Sequence, residues 1–177
     1  MEYRILITTS RRPSPRTRSL VKDLAALFPG SYRLTRGHMT LEELALEARS
    51  IGADRVLIVG ERRGNPSILR FYEPRGRSLV NIVTILVKGV KLSREAGTGT
   101  PAGARGVAII YDDSGEAMEM AEALMRGLKA RLRPGRDDVV ITLEGRGGEV
   151  LARFRYRDRL VGPTLRLARP VRMIKNV

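Results

Sequence analysis

Two hydrophobic periods alternate along the chain. Tyr3–Thr9 is a compact apolar and β-branched run and predicts a buried strand. A turn at Ser10-Arg11-Arg12-Pro13 follows, with Ser14 placed as an N-cap and Pro15 at the first helical position. The period then lengthens. Leu20, Val21, Leu24, Ala25, Leu27 and Phe28 make one apolar helix face, and Pro29-Gly30 ends it. Ser31–Leu34 predicts a short strand. Thr40 and Glu43 form a capping box for a second helix, with Leu41, Leu44, Ala48 and Ile51 inward and Gly52 as its stop. Three strands are expected next, at Arg55–Val59, Ser67–Tyr72 and Ser78–Val87.

The segment 97–105 is glycine-rich, holds a proline and lacks periodicity, so it predicts a linker. Beyond it the pattern restarts. Gly106–Tyr111 predicts a strand, and a helix follows from about Gly115 to Leu132 with Met118, Ala121, Met125, Leu128 and Leu132 at helical spacing. Arg133-Pro134-Gly135 closes that helix, and strands are expected at Val139–Leu143, Val150–Tyr156 and Thr164–Met173. The run Val56-Leu57-Ile58-Val59-Gly60-Glu61-Arg62-Arg63-Gly64 matches the run from Val139 to Gly147 at an offset of 83, and the two helix ends align at 105. The 22-residue difference is about the length of the short strand and capped helix found only in the first half. The expected fold is α/β (α+β): one domain over 1–177, made of two duplicated halves, 1–96 and 106–177. Each half is a small mixed sheet with packed helices.

Charge changes the picture from a fold to a partner. The chain of 177 residues holds 33 basic and 19 acidic side chains, net +14, and 28 of the basic ones are arginine. Residues 1–36 carry eight basic and two acidic groups and residues 146–177 carry nine and two, whereas the 109 residues between them are nearly neutral. Arginine's planar fork suits phosphate, so a polyanion is the expected partner, against an arginine-rich solvated surface as the plain alternative. No cysteine is present, which excludes disulfides and thiolate metal sites, and His38 is the single histidine. No phosphate-binding P-loop pattern occurs, and the glycines at 97 and 99 fail dinucleotide-binding spacing at Ala102. Asp112-Asp113 and Asp137-Asp138 fit a helix start and a turn better than a metal site. No catalytic residue, metal or cofactor is expected. No apolar run reaches the roughly 18 residues of a membrane helix. The opening residues show no signal peptide, so a cytoplasmic protein is expected.

Two basic constellations stand out. Arg11, Arg12, Arg16, Arg18 and Lys22 crowd the start of the first helix, where its dipole is already positive and only Asp23 opposes them. Each exposed cation there costs roughly 0.3–1 kcal/mol, a cost that a bound phosphate would reverse. Arg153, Arg155, Arg157 and Arg159 alternate, so one extended strand would show all four on one face, about 6.5–7 Å apart. Arg166 and Arg172 continue the theme. Aromatics are only 5% of the chain, so phosphate and shape recognition of folded RNA is expected over base stacking.

The residues around the first helix also carry a likeness. Ile5-Leu6-Ile7-Thr8-Thr9-Ser10-Arg11-Arg12-Pro13-Ser14-Pro15-Arg16, then Leu27-Phe28-Pro29-Gly30, then Leu34-Thr35-Arg36-Gly37, resembles the opening of the Brix domain. Glu61-Arg62-Arg63-Gly64-Asn65-Pro66 and Gly162-Pro163-Thr164-Leu165 extend it, Thr164 departing from the usual arginine. The resemblance implies a stand-alone archaeal ribosome-biogenesis factor that binds pre-rRNA, with halves similar to an anticodon-binding domain. It implies RNA contacts by Arg11, Arg16 and Arg36, adds Arg62 and Arg63 as candidates, and allows ribosome-assembly proteins as partners. The resulting expectation is a non-enzymatic rRNA-binding factor assisting pre-rRNA processing and subunit assembly. The alternatives are an RNA-processing or RNA-modifying enzyme, a tRNA-binding module, or a basic protein of the mature ribosome.

Overall fold

The computed structural model describes residues 4–168 and 170. Along the chain run β1 (Ile5–Thr9), α1 (Pro15–Leu27), β2 (Ser31–Arg33), α2 (Leu41–Ser50), β3 (Arg55–Arg62), β4 (Asn65–Arg75), β5 (Ser78–Lys91) and the short α3 (Ser93–Ala96). After these come β6 (Gly106–Tyr111), α4 (Gly115–Leu128), β7 (Asp138–Arg146), β8 (Glu149–Tyr156) and β9 (Arg159–Ala168). Ser14, with Pro15 behind it, caps α1, and Thr40 and Glu43 form the capping box of α2.

The nine strands form one sheet in the order β2-β1-β3-β4-β5-β9-β8-β7-β6. Inside the edge strand β2, the parallel pair β1-β3 leads into the antiparallel strands β4 and β5, and from the other edge the parallel pair β6-β7 leads into β8 and β9, so β6, β7, β8 and β9 repeat β1, β3, β4 and β5. Antiparallel pairing of β5 with β9 fuses the halves at the centre. The true register of the repeat corrects the offset of 83. Ser10 N donates to Val59 O at 3.0 Å, and Asp112 N donates to Leu143 O at 3.1 Å, so equivalent positions of β3 and β7 lie 84 apart. The match at 83 pairs residues from opposite faces: Val56 packs under α2 with Leu6, Leu44 and Ala48, whereas Val139 sits in the main core. A slip of one residue in a strand exchanges its faces.

Helices α1 and α4 share one face of the sheet, and each reaches across to the other half. α1 packs on β9 as well as β1, and α4 on β5 as well as β6 and β7. The fit is close. A Cβ on Gly127 of α4 would lie 2.8 Å from the Phe71 ring, and Phe28 meets Phe154 edge-on at 6.0 Å. One core therefore runs through both halves. The segment 97–105 is pinned rather than loose: Thr98 Oγ1 donates to Gly162 O at 2.5 Å, and Gly162 N to Gly99 O at 3.0 Å.

On the opposite face, α2 covers β1 and β3 in the first half and reaches Tyr72 of β4 and Leu79 of β5, and among the described residues no helix covers that face of β6–β9 in the second. Some inward positions differ from expectation. Met118 is 55% exposed, and the buried stripe of α4 is Ala117, Met120, Ala121, Leu124 and Leu128. The helix stops at Leu128 because Lys129 adopts a left-handed conformation, φ 50°, which leaves Leu132 outside it and exposed. Leu41, at the edge of α2, is also exposed. The last strand starts at Arg159 rather than Thr164. Tyr3, residue 169, residues 171–173 and Arg172 with them lie outside the described residues.

Candidate nucleic-acid interface

Strands β2, β1 and β3 are parallel, and α1 and α2 lie on opposite faces of them. The β1–α1 and β2–α2 loops therefore part at the carboxyl ends of the strands, which opens a crevice of the kind where α/β sheets bind ligands. It encloses about 300 Å³, with Thr9, Arg12, Arg18, Arg33, Arg36 and His38 in its lining. Arg36 is the unusual member, only 8% exposed. Its Nε donates to Met39 O at 2.8 Å and its Nη1 to Thr9 O at 3.1 Å, which ties the second loop to the end of β1. Burial, and then the neighbouring Arg11, lower its pKa from the ordinary guanidinium value. No carboxylate lies within ion-pair distance of Arg36 among the described residues. Arg12 holds a left-handed backbone, φ 53°, a conformation that is costly for a residue with a side chain.

The start of α1 differs from its sequence reading in two respects. Its positive end is already occupied: Glu61, reaching from β3, accepts Ser14 N at 2.8 Å and Thr17 Oγ1 at 2.6 Å. Burial pushes the Glu61 carboxyl up, but the bonds from Thr17 and Ser14 outweigh it and hold the group below its usual value. Arg16 is also committed elsewhere, to the carboxylate of Glu95 and, at 2.7 Å, to Val90 O. Asp23 does not face these cations; it accepts Ser93 N at 2.8 Å. The anion site expected at the helix end is thus filled by the protein's own carboxylate. Arg11, Arg12 and Arg36 keep their positive charge in the loops just beyond it. Arg18 is exposed and donates to Pro13 O at 3.0 Å, and Lys22 is exposed one turn further along. Arg62 and Arg63 join the same edge, because Ser14 Oγ donates to Gly64 O at 2.8 Å and seats the β3–β4 turn against the β1–α1 loop. Arg33 and His38 were not foreseen; the sequence signal for Arg33 was its place in the basic first 36 residues.

The second constellation is rearranged. Arg157 and Asp158 form the β8–β9 turn with φ 47° and 62°, so the chain reverses there and Arg159 opens β9. A single-strand ladder of four is overturned; Arg153 and Arg155 alone share a strand face. Arg153 pairs with Glu144 at 3.4 Å. Arg157 pairs with Asp137 at 2.9 Å and lies 5.2 Å from the Tyr156 ring centre. Of the acidic pairs, Asp112 binds Ser114 at the start of α4, and Asp138 is buried against Arg131 at 2.6 Å and Gly135 N at 2.7 Å.

No family model matches the chain. It is 49% identical over 178 aligned residues, 96% of its length and 98% of the relative's, to a probable Brix domain-containing ribosomal biogenesis protein of Aeropyrum pernix. The chain belongs to the Brix domain-containing ribosomal biogenesis family. A Brix relative from Pyrococcus furiosus is 42% identical over 93 residues, 52% of this chain and 42% of that protein. The crystal structure of the probable ribosomal biogenesis protein from Aeropyrum pernix K1 superposes with a TM-score of 0.92 at 50% identity, covering 98% of this Brix chain and 99% of the other. An archaeal Imp4-like protein, 24% identical, shares the fold with a TM-score of 0.72 over 94% of this chain and 98% of its own.

Proposed function

We propose that this Brix protein is a non-enzymatic rRNA-binding factor of ribosome biogenesis. It works in the cytoplasm and assists pre-rRNA processing and subunit assembly, alongside other assembly proteins. The crevice between the β1–α1 and β2–α2 loops grips folded RNA by its phosphates. One observation carries this reading: the buried guanidinium of Arg36 stands beside Arg11 with carbonyls as its bonding partners. A desolvated charge next to a like charge is unfavourable unless an anion joins it. A phosphate at the mouth of the crevice supplies that anion, and Arg12 and Arg18 are placed to close on it as charge-assisted donors.

The test is a salt titration of binding to a structured rRNA fragment. Each lost phosphate contact lowers the slope of log affinity against log salt by about 0.7–0.9, so Arg11→Ala/Arg12→Ala/Arg18→Ala should lower it by about 2–3. Arg16→Ala, whose guanidinium is held by Glu95, should leave the slope nearly unchanged. Equal slopes for the triple variant and the parent protein would overturn the site. Crosslinking in cells with sequencing of the bound RNA separates precursor rRNA from tRNA and from mature subunits.

A further inference from the structure

In the first half, α2 lies on the outer face of β1 and β3; in the second half the chain between α4 and β7 is too short to form its counterpart. α2 also reaches Tyr72 of β4 and Leu79 of β5, so among the described residues the outer face is open around Gly60, Ile68 and Leu86 and on across β9, β8 and β7. Basic side chains project from it at successive strands. Arg62 on β3, Arg70 on β4 and Lys88 on β5 line one depression of about 470 Å³ with Gly60, Ile68 and Leu86 as its floor. Gly60 is needed there, since a side chain at that position would strike Ile68. Next, Arg166 of β9 lies over Gly89, its guanidinium carbon 3.5 Å from where a Cβ would stand. Leu151, Arg153 and Arg155 of β8 follow, on the side opposite the buried Ala152, Phe154 and Tyr156.

Asp138 and Asp158 line the depression that holds Arg155, and Asp138 is engaged by Arg131; the acids nearer the middle of this face are Glu144 and Glu149. They are taken up by Arg146 and Arg153 and by Arg166, at 3.1, 3.4 and 3.0 Å respectively. No carboxylate among the described residues pairs with Arg62, Arg70, Lys88 or Arg155. The stripe is continuous with the crevice, because Ser10, next to Arg11, lines the same depression. Four strand spacings separate β3 from β8, roughly 19 Å in all, and the cations run across the strands rather than along one. A row of cations on a shallow face, with Arg62, Arg70, Lys88 and Arg155 unpaired and no exposed aromatic ring among the described residues of the row, suits a sugar-phosphate backbone rather than stacked bases.

We propose that this open sheet face is a second RNA-binding surface, on which the backbone of an RNA duplex crosses from Arg62 to Arg155. The proposal rests on the reading of the crevice as an RNA site and extends it: the crevice and the face hold one folded RNA at two places. Phosphate contacts carry no sequence information, so the face should bind a plain RNA duplex as well as an rRNA fragment.

The deciding variant is Arg70→Gln/Lys88→Gln/Arg155→Gln, built from side chains without ion-pair partners so that the fold survives. Its salt slope should fall by about 2–3 with either RNA, and joining it to the crevice variant should lower the slope by about twice as much. Ultraviolet crosslinking of the unaltered protein to the same duplex, read by peptide mass, should mark β4, β5 and β8, and this readout stands even if the variant folds poorly. If the crevice variant loses slope while the face variant does not, and no crosslink falls on those strands, the face serves a protein partner and the proposal is overturned. If neither variant changes the slope, the reading of the crevice falls first and takes this one with it.

Discussion

The two long helices α1 and α4 begin at equivalent places in a duplicated fold, yet one start is surrounded by arginine and the other by carboxylates. Ser14 and Ser114 perform the same task, each accepting the backbone N–H three residues on at 3.2 Å. Between the strand end and that serine the first half inserts Arg11, Arg12 and Pro13 where the second has Asp113 alone. Each helix end also receives a carboxylate, from different sources. In the first half it comes from the neighbouring strand, as Glu61. In the second it comes from the loop: Asp112 accepts Ser114 N at 3.1 Å, Ser114 Oγ at 2.5 Å and Gly145 N at 2.9 Å. Glu61 and Gly145 occupy the same place in the repeat. Once the dipole of α1 is satisfied from the side, its loop is free to carry surplus cations. In the second half the loop itself does the capping and has none to spare. Surplus cations in a functional sense are therefore those of the longer loop, not those of the helix.

The strongest way to break this comparison is at Gly145. A Cβ there would collide with the Ser114 side chain that caps α4. Gly145→Ala should cost about 1–3 kcal/mol as the serine is driven from its place. For a domain of this size that is a fall in Tm of about 2–4 °C per kcal/mol. An unchanged Tm would mean that the second half tolerates a strand side chain at its helix start, and the two capping schemes would be interchangeable. Glu61→Ala comes next. It strips a half-exposed carboxylate from Ser14 N and Thr17 Oγ1, and the loss should be about 1 kcal/mol, as for an N-cap. RNA affinity should hold or rise, because a negative charge leaves the neighbourhood of the arginines. Weaker RNA binding at unchanged stability would show that Glu61 positions the loop instead of capping the helix.

Much of this was legible in the sequence, and the remainder was not for a shared reason. Ser14 with Pro15, the Thr40–Glu43 box and the strand Gly106–Tyr111 are local signals, and local hydrogen bonds honour them in the structure. The missing second helix was readable as a length difference between the halves. What escaped depended on contacts distant in the chain. Glu61 lies 47 residues from Ser14, and Glu95 lies 79 from Arg16, so charge density near the helix start could not reveal that both were engaged. The arginines 153–159 alternate as a strand should, but nothing in alternation marks Arg157-Asp158 as a turn of two left-handed residues. Arg70 and Lys88 lie in the nearly neutral middle of the chain, and the sheet order alone puts them on one face with Arg166 and Arg153.

The smallest expected effect separates the arginine that holds the fold from those left for a ligand. Arg16 and Glu95 are each about a third exposed, and they tie α1 to the short α3. The bond from Arg16, helped by the backbone N–H of Leu92, brings the Glu95 carboxyl down to about 2. A depressed carboxylate adds stability above its unfolded pKa, about 4.3, and that contribution disappears as pH falls towards the folded value. Arg16→Ala removes the main source of the depression. The difference in Tm between parent and variant should be largest near neutral pH, begin to shrink below about pH 5, and be nearly gone as pH approaches 2. The corresponding pair for Arg11→Ala should show little of this trend, since no ion pair holds that side chain and the neighbouring Glu43 carboxyl is held down mainly by its bonds from Thr40 and only slightly by Arg11. A constant gap for Arg16→Ala down to pH 2 would place the role of Arg16 in its bond to Val90 O. A gap for Arg11→Ala that closes in acid would mean that the crevice arginine is neutralised from within, and the crevice would then have no charge to offer an anion.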